Sequence, residues 1–247
     1  MAEPRILFYD IETTHNIVAS FRLYGEDYLP FENIIQERII ICAAWKWQGE
    51  RTVQCVATFN GDDTSVCEAL SRAIKTADVI VAHNGNRFDS RFLATRLLYH
   101  RLPPIQPAQK IDTCLVAKHQ LLFNCNKLDY LGQFLGVGKK QVHPPGLWLR
   151  ALKYDRKAIE HLMSYNKQDV RLLERVYRKL RPYIPDHLNR QLITGGLNCP
   201  RCGSKHISRN GVRHAITRSY ARWQCQACGG WFRDVKPLSK STKWRVL

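Results

Sequence analysis

The sequence Phe8-Tyr9-Asp10-Ile11-Glu12-Thr13 carries two acids on what is otherwise the pattern of a buried strand. Side chains alternate along a strand, so Asp10 and Glu12 project from the same face. Two like charges ~4 Å apart repel by ~4 kcal/mol at an effective dielectric constant of ~20. Such a pair therefore calls for a cation, and a site with oxygen ligands alone favours magnesium or manganese. The alternative is a strand that runs into a turn, with both carboxylates solvated.

The composition of the 247-residue chain points to an anionic partner. Lys and Arg total 38 against 21 Asp and Glu, which gives a net charge of +17. This excess of positive charge is typical of nucleic-acid binding, although a protein that binds a membrane surface would show the same excess. There is neither an apolar run of ~18 residues nor a secretory signal pattern, so we expect a soluble cytoplasmic protein that does not enter a membrane.

The chain divides by pattern into two domains. An α/β pattern covers residues 1–182, a linker with Pro and Gly covers 183–196, and a basic domain covers 197–247. The last domain contributes +10 of the net charge of +17, with Asp234 as its single acid. We therefore expect nucleic-acid contacts to concentrate in it.

Strand and helix patterns alternate through the first domain. Two β-rich runs, 38–47 and 51–58, predict a hairpin that pairs with the first strand. A helix with Asp62 or Asp63 as its cap and a strand at 78–82 come next. Another helix starts near Asp89, and the longest helix pattern covers 155–180.

Two segments of this domain have no clean period. Residues 14–37 predict a long loop beside the site, with either a substrate-holding or an ordinary packing role. The basic segment 138–146 predicts an irregular loop, for which we favour a solvated surface position over contact with substrate.

Four acids from separate segments now stand out: Asp10, Glu12, Asp89 and Asp169. With them the chain resembles the DEDD superfamily of 3′-to-5′ exonucleases, over roughly residues 4–180. The first motif is D-x-E at Asp10 and Glu12, the second is N-x3-F-D ending at Asp89, and the third is Y-x3-D ending at Asp169. Another branch of this superfamily has histidine at the position of Tyr165. Tyrosine at this position makes the chain similar to the DEDDy branch, which includes proofreading domains of DNA polymerases.

The resemblance implies a ribonuclease H-like mixed five-stranded sheet with flanking helices and two Mg²⁺ or Mn²⁺ ions. By its motifs, Asp10, Glu12 and Asp169 would hold the first ion, and Asp10 with Asp89 the second. Tyr165 would orient the attacking water. The same motifs suggest further side chains that would hold the terminal nucleotide: Thr13, Asn84 and Phe88. Phe88 would either stack on a base or simply anchor the helix that follows it.

The basic domain holds two C-x2-C motifs, Cys199 to Cys202 and Cys225 to Cys228. Four cysteines at this spacing predict a zinc ribbon with one structural Zn²⁺ and no open coordination position. Cations and aromatics lie between the two motifs, a composition suited to phosphate contacts and stacking. Trp223, Trp231 and Phe232 are alternatively the ribbon's own small core. The cations that we expect to contact substrate are Arg213, Arg218 and Arg222.

The leading hypothesis is a metal-dependent 3′-to-5′ exonuclease acting on single-stranded DNA or on 3′ ends. Alternatives are an exoribonuclease of the ribonuclease D type, a structure-directed nuclease, and a non-catalytic nucleic-acid tether in a replication or repair complex. The intact set of four acids and a tyrosine argues against the tether.

Overall fold

The computed structural model describes residues 4–22, 24, 28–106, 109–185, 187, 189 and 196–239. These residues form two compact units, Pro4–Tyr177 and a second unit made of the described residues from Arg178 onward. Residues 186, 188 and 190–195 of the predicted linker lie outside the described residues. The strands of the larger unit are β1 (Ile6–Thr13), β2 (Ile17–Val18), β3 (Ile34–Gln36), β4 (Ile40–Trp47), β5 (Gln54–Ala57), β6 (Val79–Ala82) and β7 (Gln109–Asp112). The helices are α1 (Thr64–Lys75), α2 (Asp89–Tyr99), α3 (Thr113–Gln120), α4 (Leu128–Phe134), α5 (Leu147–Leu152) and α6 (Arg156–Leu180).

The central sheet is mixed and five-stranded, in the order β5-β4-β1-β6-β7. Strands β5, β4 and β1 pair antiparallel, whereas β1, β6 and β7 pair parallel. The predicted hairpin and the mixed sheet with flanking helices are therefore confirmed. Where a long loop was expected, the short strands β2 and β3 pair with each other, which corrects that interpretation for the described part of 14–37.

Strand β1 is buried on both faces because helices cover the sheet on both sides. Leu7, Tyr9 and Ile11 join an apolar cluster that also contains Leu70 of α1 and Leu93 of α2. On the other face, Phe8 packs edge-on against Tyr177 of α6, with ring centroids 5.1 Å apart. Alternation therefore directs Asp10 and Glu12 toward the α6 side of the sheet.

Helix α1 begins differently from the sequence-based expectation. Asp63 is its N-cap residue, but its side chain makes no capping hydrogen bond. Its carboxylate instead accepts two hydrogen bonds from Arg96, at 2.7 and 2.8 Å, and one from the backbone N–H of Ile40. The carboxylate of Asp62 accepts the backbone N–H of Thr64. The fully buried Asp63 thus ties α1 to α2 and β4, because a buried charge must be paired.

The second unit contains a three-stranded antiparallel sheet in the order β10-β9-β8. Its strands are β8 (Ile207–His214), β9 (Ser219–Cys225) and β10 (Trp231–Pro237). Among the described residues, no helix is both long and apolar enough to cross a bilayer.

Candidate metal-dependent active site

The first three acids meet between β1 and α6. Carboxylate oxygens of Asp10, Glu12 and Asp169 lie within 4.8 Å of one another. Asp169 is 1% exposed, and its Oδ1 has no hydrogen-bond partner among the described residues. A buried carboxylate oxygen without a partner costs free energy, which a cation ligand would recover. The three side chains therefore fit a hard divalent cation with oxygen ligands.

The fourth acid approaches from the neighbouring parallel strand. Asp89 starts α2, shortly after β6 ends, and it is 3% exposed. Its Oδ1 accepts the backbone N–H of Ile11 at 3.2 Å, which fixes it beside the Asp10–Glu12 segment. Because β1 and β6 are parallel, their carboxyl ends lie at the same edge of the sheet, where α/β proteins place their sites.

The pKa values of the four acids are shifted by burial and, for Asp10 and Glu12, by the neighbouring acids. Burial, then Asp89, Glu12 and Asp169, hold the pKa of Asp10 well above its ordinary value. Burial and then Asp169 raise the pKa of Glu12 to about 7, and burial raises that of Asp89 to about 6. Burial also raises the pKa of Asp169. The metal-free site therefore retains protons near neutral pH, and a divalent cation would displace them.

Lys140 is a site residue that the sequence analysis missed. Its Nζ lies 2.5 Å from Oδ2 of Asp169 and 3.5 Å from the hydroxyl of Tyr165. Burial lowers the pKa of Lys140, but Asp169 and Asp10 outweigh it, so the pKa is raised and the ammonium stays charged. The preference for a solvated surface position of 138–146 is wrong at Lys140, because this residue reaches the acid cluster.

We expect Lys140→Met to tighten magnesium binding by about five- to tenfold. The ammonium group contacts Oδ2 of Asp169, a proposed ligand of the ion, and its positive charge opposes the ion in a partly buried site. Magnesium titrations that follow the thermal unfolding transition measure the effect, with Lys139→Met, an exposed neighbour, as the matched control. Equal magnesium dependence in wild type and Lys140→Met would show that Lys140 does not oppose the ion.

Two neutral side chains orient the acids. Asn166, fully buried on α6, donates its amide to Oδ2 of Asp10 at 2.6 Å. Trp148 of α5 lies close enough to Glu12 to lower the pKa of that carboxyl, and it packs edge-on against Tyr165, with ring centroids 5.8 Å apart. In the sequence, Asn166 was recognisable as a polar residue within the apolar stripe of α6. Nothing in the local pattern indicated a role for Trp148.

The residues predicted to contact the terminal nucleotide line two separate depressions. Thr13 and Phe88 line a cavity of about 410 Å³ together with Glu12 and Trp148. Asn84 instead lines a depression of about 580 Å³ that contains Lys140. The ring of Phe88 stacks on that of Phe92 at 5.8 Å and packs against the core, so the anchoring role is present in the structure.

The four cysteines of the second unit converge. All four Sγ atoms lie within 4.8 Å of one another. The Cys199–Cys228 and Cys202–Cys225 Sγ atoms are 3.7 and 3.6 Å apart. Zinc–sulfur bonds of ~2.3 Å in a tetrahedron require sulfur atoms ~3.8 Å apart. The residues therefore fit a structural zinc ion, consistent with a small zinc ribbon.

The fold and the acid cluster define an α/β protein with a carboxylate cluster that fits a metal ion. The chain belongs to the RNase H superfamily, whose family model matches residues 7–181. It is similar in structure to the family B DNA polymerase from the hyperthermophilic archaeon Pyrobaculum calidifontis, with 19% identity and a TM-score of 0.57. That similarity covers 88% of this chain and 32% of the polymerase, so the chain spans about a third of the polymerase's length. A comparison with curated proteins found no match.

Proposed function

We propose that the protein is a metal-dependent 3′-to-5′ exonuclease that hydrolyses phosphodiester bonds of DNA, in single strands or at 3′ ends. The observation that carries the proposal is the convergence of Asp10, Glu12 and Asp169 within 4.8 Å of one another in an RNase H superfamily fold. Asp89 and Tyr165 border the same cluster. Superfamily membership and this cluster together support a nuclease, and the DEDDy-like motif order favours the exonuclease.

The acids would act as ligands rather than as proton donors. Asp10, Glu12 and Asp169 would hold one Mg²⁺ or Mn²⁺ ion, and Asp10 with Asp89 a second. These carboxylates would thereby hold metal whose chemistry would be to activate water at neutral pH and to stabilise the oxygens of an in-line displacement at phosphorus. Asn166 holds Asp10 in place for this role, since its amide donates to Oδ2 at 2.6 Å.

Tyr165 would position the attacking water through its hydroxyl. Burial and then Asp169 raise its pKa to about 12, so the hydroxyl keeps its proton at neutral pH and can donate a hydrogen bond. The rings of Trp148 and His143 pack edge-on against the Tyr165 ring, at 5.8 and 5.9 Å, and restrict its orientation. A fixed hydroxyl lowers the cost of aligning water with the phosphorus atom.

The 3′-terminal nucleotide would occupy the cavity of about 410 Å³ beside Glu12. Thr13 offers a hydroxyl there, and Phe88 offers a ring edge. Arg38 lies over the Phe88 ring, 5.5 Å from its centroid, and adds a cation at the cavity wall. The basic ribbon would assist binding of the rest of the strand.

Digestion of matched 5′-labelled single-stranded DNA and RNA tests the proposal. Wild type and Asp10→Ala are each assayed with magnesium, with manganese, and after dialysis free of both. The expected result is a ladder that shortens from the 3′ end of DNA and is absent in the variant and in the metal-free reaction.

Other outcomes would replace the proposal with a specific alternative. A ladder on RNA alone would identify an exoribonuclease. Internal cuts in an added junction or flap substrate, with both single strands left intact, would identify a structure-directed nuclease. Binding of both nucleic acids without any cleavage would identify a tether.

A further inference from the structure

The sheet of the zinc ribbon has two chemically different faces. Directly paired residues on neighbouring antiparallel strands share a face. Arg222 pairs with Arg233, and Tyr220 pairs with Arg213. Since residues two apart on a strand also share a face, Trp231 lies on this face with Arg233. We call this set the arginine–aromatic face: Arg213, Tyr220, Arg222, Trp231 and Arg233.

The opposite face uses its aromatics to build the ribbon itself. Trp223 pairs with Phe232 and with Arg209, and its indole N–H donates to Asp234 at 2.8 Å. Asp234 is the single acid in residues 197–247. The ribbon's only carboxylate side chain is therefore engaged on the face opposite Arg222 and Arg233.

On the arginine–aromatic face, arginine guanidinium groups lie over aromatic rings. The guanidinium carbon of Arg222 is 4.5 Å from the centroid of Trp231, and that of Arg233 is 3.8 Å from the centroid of Tyr220. Trp231 is nevertheless 42% exposed. Nε of Arg222 donates to the carbonyl oxygen of Asn210 at 3.0 Å, and a terminal N–H of Arg233 donates to that of Asp234 at 3.2 Å. The remaining N–H groups of each guanidinium are left to bind phosphate, and the exposed Trp231 ring is left to receive a further planar group.

The arrangement of positive charges on this face favours binding of an anionic partner. Arg222 and Arg233 are directly opposed across two strands, a pairing of like charges that destabilises a sheet. Within residues 196–239, neither guanidinium takes part in a salt bridge. A polyanion whose charges lie along the strands would remove this repulsion.

We propose that the arginine–aromatic face binds single-stranded DNA. Unpaired bases stack on Trp231, Tyr220 and the guanidinium planes, while phosphates bind Arg213, Arg222 and Arg233. A duplex hides the faces of its bases inside its own stack, so only an unpaired strand can use the rings. This assignment rests on the proposed function in one respect, that DNA is the substrate, and it names the residues that hold the strand.

Fluorescence anisotropy with the full chain tests the assignment. The Asp10→Ala background prevents cleavage, and zinc remains bound. The probes are a labelled 15-mer of single-stranded DNA, an abasic phosphodiester 15-mer, and a blunt duplex. Trp231→Ala and Tyr220→Ala should each weaken single-strand binding by about 5- to 100-fold, the effect of losing one base stack, and leave abasic binding nearly unchanged.

The arginines should show a different signature. Arg222→Ala and Arg233→Ala should weaken binding of both unpaired probes and reduce the slope of log affinity against log salt by about 0.7 each. Arg209→Ala removes the same charge from the opposite face and should change single-strand affinity less than twofold. Trp231→Phe keeps a stacking ring and should bind nearly as wild type does.

Three results would overturn the assignment: unchanged single-strand affinity in Trp231→Ala, equal losses in Arg209→Ala and Arg222→Ala, or duplex binding as tight as single-strand binding. Zinc content measured for each variant verifies that the ribbon is folded. The 3′-to-5′ ladder is assayed separately with Asp10 intact, so the two proposals fail independently. If the ladder forms but Trp231→Ala does not weaken binding, only the assignment of the arginine–aromatic face is wrong. If DNA binds at this face but no ladder forms, only the proposed exonuclease activity is wrong.

Discussion

Asp10→Ala is expected to reduce metal-dependent cleavage by more than about a thousandfold, or about 4 kcal/mol in the activation barrier. Asp10 shares one cluster with Glu12 and Asp169, borders Asp89, and is held by the amide of Asn166. It is therefore the acid through which both proposed metal positions are connected. Rates on saturating single-stranded DNA measure the loss.

The same substitution should leave the metal-free protein at least as stable as wild type. Burial first, and then Asp89, Glu12 and Asp169, disfavour the ionised form of Asp10 in the folded state, and that penalty is absent once the chain unfolds. Truncating it also removes a hydrogen bond from Asn166, which offsets part of the gain. Urea unfolding of the larger unit, without magnesium or manganese, measures the balance.

Burial of these acids, together with repulsion between them, also sets the sign of the pH dependence of stability. The pKa values of Glu12 and Asp89 are raised to about 7 and about 6, from ordinary values near ~4. The folded state therefore binds more protons than the unfolded state between these limits, and stability present at about pH 4 is lost as the pH rises toward about 7. Asp10→Ala should flatten this decline, because Asp10 itself has a raised pKa in the folded state and contributes to it.

Glu160→Ala is the matched control, since it removes an exposed carboxylate from the same helix that carries Asp169. It should retain cleavage and the wild-type pH dependence. A metal-free Asp10→Ala protein that unfolds at clearly lower urea than wild type at pH 7 would show that the acids are not mutually repelled.

The positions of Asp10, Glu12 and Asp169 were predictable because regular elements carry them. The alternation of β1 determines that Asp10 and Glu12 share a face, and the helical period of α6 places Asp169 beside its apolar stripe. Local patterns of this kind persist in the tertiary structure since burial of one face reinforces them. The hairpin that pairs with β1 followed from the same patterns, whereas the mixed five-stranded sheet was implied by the family resemblance.

Lys140 was not predictable, because its loop takes its path from tertiary contacts. Its backbone N–H donates to Asp129 Oδ1 at 2.7 Å, which pins the loop to α4. Gly132 permits the approach, because a Cβ there would lie 2.6 Å from the carbonyl oxygen of Gly138. No period in 138–146 encodes these contacts.

The sequence pattern also could not show that the ribbon's arginines lie on two different faces of its sheet. β8 contains an irregularity between Arg209 and Val212, where three steps along β8 oppose two along β9, so the register shifts by one residue. Arg209 therefore pairs with Trp223 while Arg213 pairs with Tyr220, and the two arginines lie on opposite faces. Counting alternate residues from the sequence assigns them to one face, since a bulge cannot be seen in composition.

Removal of zinc is expected to unfold the ribbon while the larger unit stays folded. The buried apolar side chains in residues 196–239 are those of Cys199, Ala221 and Cys225, and two of these three are proposed ligands. So small a core supplies little hydrophobic free energy, and metal binding must supply most of the rest. Structural zinc in comparable small domains contributes about 10–16 kcal/mol at neutral pH.

A zinc chelator and the variant Cys199→Ser test this dependence together. Trypsin should then cut rapidly within the ribbon sheet, for example after Arg209 and Arg213, while the urea transition of the larger unit is unchanged. Cys114→Ser, a half-buried thiol on α3 without ligand spacing, should keep both zinc and protease resistance. A ribbon that resists trypsin after zinc is removed would contradict the metal-dependent fold.

Zinc removal also separates binding from chemistry. The proposed catalytic acids lie in the larger unit and the arginine–aromatic face lies in the ribbon, so loss of zinc should act on affinity first. The apparent Kd for single-stranded DNA should rise and its salt dependence should flatten, because phosphate contacts are lost. Cleavage at saturating DNA should fall much less, and removal of residues 197–247 should reproduce both effects. An equal fall in affinity and in the saturated rate would instead make the ribbon part of the catalytic machinery.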